Sequence, residues 1–467
     1  MKKMICFALL AALTLGLFGC GGGSEGESGQ KLDSTKLSVG FGIEDVTPDF
    51  RVGLGGFSDM ETRKSTDVLD PIYVTCIAMS QNDTTVLLFT IDNLAAHSGT
   101  VKTAQERASE VTGVPMENII VSATHTHSAP ALNSSEADAM QYKELFFDGI
   151  AKAAKQAMED RANATAYSGI AIVNGLNFDR HYYMADGKYE DHTDNTTYAA
   201  HVGTSDKQMA LVKFDRGTDK QPILLVNWQA HPDHAGSNGY YSISADYPGN
   251  LRDKVQADTG MLCAFFSGAS GNEVPKSKIE SEKHSYTIKI SYGKALAEAA
   301  IAALPTLTED TGSGVQVTKK TVTVQVDHSM DHKLEDANRV YTVWKTQGLA
   351  AGDALAYSLG IFGSYHARAI RDRAAAAETQ TMDLYAFRVG NIGFVSGVYE
   401  MFSDAGMYIR DNAPFDTVLI CNGNSGYIPS SWAYDVRTYE GTTGWYTQGT
   451  AEMLAEEFVG LLNNVNK

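Results

Sequence analysis

The chain has 467 residues and is acidic, with 56 Asp and Glu against 38 Lys and Arg and a formal net charge of −18. We do not expect a chain with this charge, and without a basic patch interleaved with aromatic residues, to bind nucleic acid. The length is sufficient for two or three average domains, or for one large α/β domain with insertions.

The first twenty residues have the pattern of a lipoprotein signal. Two lysines precede an apolar run over 7–18 that is too short to span a bilayer and is typical of a signal-peptide core. The run ends in Leu-Phe-Gly-Cys at Cys20, which resembles the bacterial lipobox, in which cleavage before the Cys leaves an N-terminal residue that carries lipid. We therefore expect residues 1–19 to be a signal peptide and the exported protein to be lipid-anchored to the bacterial cell envelope through Cys20. The alternative is a plain secretory signal with an incidental Cys.

The segment after the signal is rich in Gly, Ser and Glu, so residues 20–36 are predicted to be a flexible tether. Beyond Cys20, the chain contains only Cys76, Cys263 and Cys421. Each of these three lies in or beside an apolar run, as buried cysteines do. We therefore expect neither a disulfide framework nor a thiolate metal site.

From residue 37 onward, apolar runs alternate with helical patterns to the end of the chain. Runs rich in Val, Ile, Phe and Tyr predict strands at 37–43, 72–80, 84–91, 119–122, 223–228, 262–266, 315–326, 382–389, 392–396 and 416–420. Apolar residues at three- and four-residue spacing predict helices at 100–112, 142–161, 247–259, 286–303, 335–347 and 451–463. Residues 180–205 and 360–380 are polar and irregular, which favours lids or insertions. The alternation predicts an α/β protein with a mixed central β-sheet flanked by helices.

Two predicted strands are each followed by histidines. His125 and His127 follow the strand at 119–122, and His231 follows the strand at 223–228. Ligand groups in α/β folds gather at the carboxyl ends of strands, and neutral imidazole is the commonest protein ligand for zinc. A single strand end of this kind fits hydrogen-bonded loop histidines as well as a metal site. Two of them favour a metal site.

Two further strand ends carry candidate ligands. Glu400 follows the strand at 392–396 and would complete a His, His, Glu set that leaves zinc open for water, although alone it also fits a helix cap or a surface acid. Tyr427 lies in a Gly- and Asn-rich loop after the last predicted strand. Aromatic residues in such loops usually pack, and a functional phenol needs a partner that lowers its pKa, such as a metal.

The order of these motifs resembles that of the neutral (alkaline, non-lysosomal) ceramidases, from about residue 37 to the C-terminus. The matching sequences are Gly-Phe-Gly-Ile-Glu-Asp-Val-Thr-Pro at 40–48, Thr-His-Thr-His-Ser at 124–128, His231, Gly-x-x-Glu at 397–400, Gly-Tyr-Ile-Pro at 426–429 and Tyr-Glu-Gly at 439–441. The resemblance implies that 37–467 form a single domain like the ceramidase catalytic domain. The β-sandwich domain that usually follows in ceramidases is expected to be absent.

The resemblance also implies an assignment of the site. One zinc ion would be held by His125, His231, Glu400 and Tyr427. The catalytic residues facing the substrate would be His127, Arg180 and Tyr439. The implied reaction is hydrolysis of an N-acyl amide bond, in ceramide or a related N-acyl lipid, by attack of zinc-bound water. The three catalytic residues would stabilise the oxyanion or protonate the departing amine.

Two features depart from the family pattern and leave alternatives open. Many ceramidases have Gly-Asp-Val-Ser-Pro where this chain has Gly-Asn-Glu-Val-Pro at 271–275, so a serine once given a nucleophilic role falls on Val274. The sequence after His231 also differs. The alternatives are an envelope zinc hydrolase acting on a peptidoglycan or sugar N-acyl group, and a non-catalytic surface binding protein that keeps the fold. His181, His192 and His201 are interpreted as solvated residues of a polar insertion, one of which could contact substrate.

Overall fold

The structure is a computed structural model and describes residues 32–57, 63–191, 198–218, 220–236, 240–275 and 286–467. The predicted signal peptide, Cys20 and His192 lie outside these described residues. Residues 33–467 form one compact unit. Within the described ranges, no helix combines the length and the apolar character that crossing a membrane requires.

The strands and helices are as follows. The strands are β1 (Ser38–Asp45), β2 (Asp67–Val68), β3 (Tyr73–Gln81), β4 (Thr84–Ile91), β5 (Ile119–Ala123), β6 (Ala162–Asn163), β7 (Thr165–Ile172), β8 (Asn177–Asp179), β9 (His181–Met184), β10 (Tyr189–Asp191), β11 (Tyr198–His201), β12 (Gln208–Asp215), β13 (Ile223–Trp228), β14 (Ser242–Ile243), β15 (Leu262–Ser267), β16 (Glu273–Pro275), β17 (Thr308–Glu309), β18 (Val315–Gln325), β19 (Thr379–Val389), β20 (Ile392–Ser396), β21 (Glu400–Met401), β22 (Thr417–Ile420) and β23 (Tyr427–Ile428). The helices are α1 (Ser98–Thr112), α2 (Ala137–Glu159), α3 (Asp246–Thr259), α4 (Tyr286–Ala303), α5 (Leu334–Gln347), α6 (Leu349–Ser358), α7 (Ser364–Ala374), α8 (Ser403–Asn412), α9 (Ser431–Asp435), α10 (Tyr439–Thr443) and α11 (Thr450–Val465).

The predicted α/β class is confirmed, but the β-structure is divided among several sheets. The first sheet has the order β5-β4-β3-β1-β6, the second β15-β13-β12-β7-β17 and the third β18-β19-β20-β22. Each is mixed, because the pairs β4-β5, β13-β15 and β20-β22 are parallel and their other pairings are antiparallel. The prediction of one central sheet is therefore corrected to three mixed sheets.

The three sheets share one core and carry helices on their outer sides. Phe41, Phe214 and Phe387, one from each sheet, belong to the same buried cluster. The first sheet packs against α1 and α2, the second against α3 and α4, and the third against α8 and α11. Each sheet therefore buries both faces of its inner strands, which explains why strands such as β3, β13 and β20 appear in the sequence as nearly continuous apolar runs.

The predicted elements all overlap observed ones, whereas several observed elements, among them β7, β12 and α7, were not predicted. All ten predicted strands and all six predicted helices overlap observed elements. The prediction that 360–380 is irregular is wrong for its central part, because α7 occupies 364–374. The apolar residues of α7 that are buried are mainly alanines, which give little contrast with its arginines. Strands β9, β10 and β11, at 181–184, 189–191 and 198–201, form a small sheet of order β10-β9-β11.

Helices α5 to α7 form a separate packed layer with its own core. That core consists of Ala337, Val340, Ala356, Ile361, Ala367 and Ile370. Helix α7 contacts α10, a one-turn helix near the C-terminus. The three remaining cysteines are buried and free, as expected from their apolar surroundings.

Candidate metal centre and active site

The candidate site lies where the parallel strand pairs of the three sheets end. His125 follows β5, His231 follows β13, Glu400 follows β20 and Tyr427 follows β22. The sheets are joined near these ends, since the Thr90 hydroxyl donates to the Phe265 carbonyl oxygen at 2.7 Å. Four distant chain segments therefore meet at one point because the carboxyl ends of the three parallel pairs converge.

The backbone at His125 fixes the orientation of its ring. Nδ1 of His125 donates to the carbonyl oxygen of Leu94 at 2.6 Å, so its Nε2 is the nitrogen left to accept. His125 has a φ of 69°, in the left-handed region that non-glycine residues rarely occupy. Such strain is concentrated at functional sites, where the surrounding structure holds the residue in place.

His231 is oriented in the same manner. Its Nδ1 donates to the Glu273 carbonyl oxygen at 3.0 Å, and its backbone N–H donates to the same oxygen at 2.9 Å. Its Nε2 lies 3.3 Å from Oη of Tyr427. Metal-binding histidines almost always donate their second N–H to a carbonyl or carboxylate, and both His125 and His231 do so.

Glu400 brings a buried carboxylate to the two imidazoles. Its Oε2 lies 3.3 Å from Nε2 of His125 and 3.6 Å from Nε2 of His231, yet it has no partner with hydrogen-bond geometry. Burial by itself raises the pKa of Glu400, but the two histidines outweigh it and hold the pKa well below its ordinary value. A buried, ionised oxygen without a hydrogen-bond partner is costly unless a cation completes its environment.

The distances between the candidate ligand atoms fit a tetrahedral metal ion. With metal–ligand distances of about 2.0–2.1 Å, tetrahedral geometry places neighbouring ligand atoms about 3.3–3.4 Å apart. The distances from His125 to Glu400, from His231 to Glu400 and from His231 to Tyr427 are 3.3, 3.6 and 3.3 Å. The arrangement therefore has the donor types and the spacing to hold one metal ion.

His127 is close to the two oriented histidines but differs from them. The ligand atoms of His125, His127 and His231 all lie within 4.8 Å of one another, so a set of three histidines is also geometrically possible. However, Nδ1 of His127 is buried and has no hydrogen-bond partner. Burial lowers the pKa of His127 well below its ordinary value, with smaller contributions from the other two histidines.

Arg180 and Tyr439 lie on the Tyr427 side of the site. Nη2 of Arg180 donates to Oη of Tyr427 at 3.2 Å, and the rings of Tyr427 and Tyr439 have centroids 6.0 Å apart. Burial raises the pKa of Tyr439 to about 12, which keeps the phenol protonated near neutral pH. All seven residues predicted from the sequence are thus brought together in one cluster, although the geometry does not test their individual roles.

Two buried residues of this region were not predicted. Glu440 accepts from Nε of Arg180 at 2.8 Å, and its second oxygen lies 2.8 Å from Nε2 of His181. His181 is 0% exposed, so its interpretation as a solvated residue is wrong. The adjacent Arg180-His181 and Tyr439-Glu440 pairs were the available signal, but sequence alone does not show that the two pairs meet.

Aromatic residues line the approaches to the histidines. The ring of Phe57 lies 5.4 Å from that of His127 and 5.5 Å from that of Tyr240. Gly56 has a φ of 105°, and a Cβ there would lie 2.6 Å from Cβ of His127. The backbone of this loop therefore approaches His127 more closely than any other residue type would permit.

Val274 lies on the strand that supports His231. Strand β16 pairs with β8 so that Glu273 faces Asp179 and Val274 faces Phe178. The carbonyl of Glu273 is the acceptor for His231. The segment that carries a serine in many ceramidases therefore serves here to orient His231, and the side chain of Val274 offers no nucleophile.

Comparisons with known proteins found a family model and solved structures that this chain resembles. Residues 37–261 match the family model of the neutral/alkaline non-lysosomal ceramidase N-terminal domain. The crystal structure of neutral ceramidase from Pseudomonas aeruginosa is similar with a TM-score of 0.69 and 16% identity, covering 92% of this chain and 74% of that chain. A ceramidase complexed with C2 gives a TM-score of 0.67 and 16% identity over 92% of this chain and 75% of that one. A comparison with curated sequences gave no match. The predicted resemblance is confirmed.

Proposed function

We propose that this protein is a zinc-dependent hydrolase of N-acyl amide bonds, because residues 37–261 match the family model of the neutral/alkaline non-lysosomal ceramidases and the chain shares the ceramidase fold. The substrate would be ceramide or a related N-acyl lipid. The observation that carries the proposal is the convergence of two imidazoles, each oriented by a backbone carbonyl, on the buried Oε2 of Glu400, which has no hydrogen-bond partner. The family match implies a hydrolase, whereas the zinc ion and the substrate are parts of the proposal.

The metal set proposed is His125, His231, Glu400 and Tyr427. Zinc bound there supplies a Lewis acid that polarises the amide carbonyl and brings the pKa of water towards neutrality. The missing outer partner of His127 supports its assignment as a residue that faces substrate.

The protein residues around this centre supply the rest of the chemistry. Arg180 holds a positive charge beside Tyr427, in position to stabilise negative charge that develops on the carbonyl oxygen. His127 is neutral because of its lowered pKa and can accept a proton from water and pass it to the leaving amine. The protonated phenol of Tyr439 can donate a hydrogen bond. The proposed nucleophile is water, and the side chain of Val274 offers no alternative at the position where many ceramidases have a serine.

The test is hydrolysis of a panel of N-acyl amides by the purified full chain, with zinc and after chelation. The panel contains ceramides, N-acyl amino acids and N-acetyl sugars, and the variants are His125→Ala and, as a matched control, His332→Ala, an exposed histidine of another region. We expect ceramide turnover that is lost on chelation and falls at least roughly 100-fold in His125→Ala. Preference for N-acetyl sugars would point to the envelope alternative, and zinc binding without any turnover to a binding protein.

The attachment to the envelope remains a proposal that rests on the sequence around Cys20. We propose that Cys20 carries lipid after cleavage of the signal. Metabolic labelling with a fatty acid in a bacterial host should label the wild type and not Cys20→Ser. Labelling of both proteins, or of neither, would contradict the proposal.

A further inference from the structure

The guanidinium of Arg180 is bound by one buried carboxylate, that of Glu440. Oε1 of Glu440 accepts from Nε of Arg180 at 2.8 Å and also from Nη2, the same nitrogen that reaches Tyr427. Glu440 is 0% exposed, and the side chain of Arg180 is 6% exposed. Two donors of one guanidinium on one carboxylate oxygen fix the plane of the group as well as its position.

The second oxygen of Glu440 is fixed independently. Nε2 of His181 lies 2.8 Å from Oε2 of Glu440, and Nδ1 of His181 lies 3.3 Å from Oδ2 of Asp179. Burial lowers the pKa of His181, but Glu440 and Asp179 outweigh it and raise the pKa to about 10. Two cations and two anions are therefore buried together, and the carboxylate of Glu440 joins the two cations.

The two sides of this contact come from distant parts of the chain. Arg180 lies between β8 and β9, whereas Glu440 lies in the first turn of α10. The hydroxyl of Thr438 accepts from the N–H of Gly441 and caps that helix at its N-terminus. The position of α10 therefore sets the position of the guanidinium relative to Tyr427.

We infer that Glu440 is a positioning residue for the reaction, which holds the guanidinium of Arg180 against Tyr427 and towards the reacting carbonyl. This inference rests on the proposed function and names a determinant of it. Without the carboxylate, Arg180 would be free to take other rotamers and would leave a buried charge uncompensated. If the ion pair were purely structural, loss of the Glu440 carboxylate would destabilise the fold but would leave the guanidinium of Arg180 in place beside Tyr427.

The test is a double-mutant cycle of Glu440→Gln and Arg180→Ala, with Glu440→Asp as a second variant that keeps the charge. We expect Glu440→Gln to lower kcat by roughly tenfold or more with a much smaller change in KM, and to keep its zinc. In the Arg180→Ala background the same change should have little further effect, because the group that it positions is already absent. Added guanidinium, at concentrations below those that unfold the protein, should restore more activity to Arg180→Ala than to the double variant.

Another ion pair of the chain, outside the site, provides the control. Asp160→Asn weakens a partly buried contact away from the site, between Asp160 and Arg216, and should leave kcat unchanged. The inference would be overturned if the activity losses of the two single variants multiply in the double variant. Equal rescue of Arg180→Ala and of the double variant by guanidinium would also overturn it. If the wild type hydrolyses no amide, the proposed function fails, but a crystal structure of Glu440→Gln or Glu440→Asp still decides. In the structure of the variant, Arg180 should have moved away from Tyr427. If Nη2 of Arg180 still lies 3.2 Å from Oη of Tyr427, Glu440 does not position the guanidinium.

Discussion

The site contains two kinds of histidine, which differ in whether Nδ1 makes a hydrogen bond. His125 and His231 donate Nδ1–H to backbone carbonyls, whereas Nδ1 of His127 has no partner. A carbonyl acceptor fixes the tautomer and directs the Nε2 lone pair towards a metal ion. The contrast gives a physical reason to separate metal ligands from the residue facing substrate, even though the ligand nitrogens of the three histidines all lie within 4.8 Å of one another.

This contrast predicts different effects of removing each ring. His125→Ala should lose both zinc and turnover, because an oriented ligand is removed. His127→Ala should keep stoichiometric zinc and lose turnover by roughly 100- to 10,000-fold, the usual contribution of a general acid or base. Metal content by atomic emission and kcat/KM on the preferred amide measure the two effects. Loss of zinc from His127→Ala would favour the set of three histidines.

At the scale of elements, the contact between β1 and α2 depends on the absence of side chains. A Cβ at Gly42 would overlap the carbonyl oxygen of Ala153, and a Cβ at Gly40 that of Ala157. The helix therefore lies directly on the backbone of the strand. This close packing fixes the first sheet, whose β5 leads to His125, and it explains physically why Gly-Phe-Gly occurs at 40–42.

Gly42→Ala should accordingly lower the free energy of unfolding by at least about 2 kcal/mol, because the helix must move away from the strand. The matched control is Gly460→Ala on the exposed side of α11, where no atom lies within 4 Å of the added Cβ. That change should raise the free energy of unfolding by about 0.5–1 kcal/mol, through helix propensity alone. Urea denaturation measures both, and equal stabilisation by the two substitutions would contradict the proposed packing.

At the scale of the whole molecule, stability depends on groups whose pKa changes on folding. Burial lowers the pKa of His366 to about 4, and Arg373 and Arg437 contribute further. Its Nδ1 accepts from the backbone N–H of Phe362 at 3.1 Å, which also favours the neutral ring. The unfolded chain, with an ordinary value of 6.5, binds a proton that the folded state does not. His366 therefore opposes folding at pH values below about 6.5.

The corresponding prediction concerns the acid range. The free energy of unfolding should fall as the pH decreases from about 6.5 to about 4, with roughly 2–3 kcal/mol of the fall due to His366. His366→Gln keeps an acceptor for Phe362 and should reduce this slope without changing it above pH 7. Chemical denaturation at several pH values measures it, with His332→Gln as the exposed control. Identical slopes for wild type and His366→Gln would show that the folded pKa is not depressed.

The sequence by itself determined the local elements and the chemical character of the site. Strands buried on both faces appear as long apolar runs, and helices such as α2 and α11 show strong periodicity, so their positions followed directly. The candidate ligands were found because each follows a strand, and the family motifs ordered them. Helix α7 was missed because its buried apolar residues are two alanines and one isoleucine, which give little contrast with its polar residues.

Only the tertiary structure decided how these elements meet. The division into three sheets, the common end point of their parallel pairs and the burial of His181 against Glu440 all depend on contacts between residues far apart in the chain. Arg180 and Glu440 are separated by 260 residues, and no local pattern encodes that pairing. Periodicity and propensity report the surroundings of each segment on its own, whereas the positions of charges in a buried network are set by how the segments pack together.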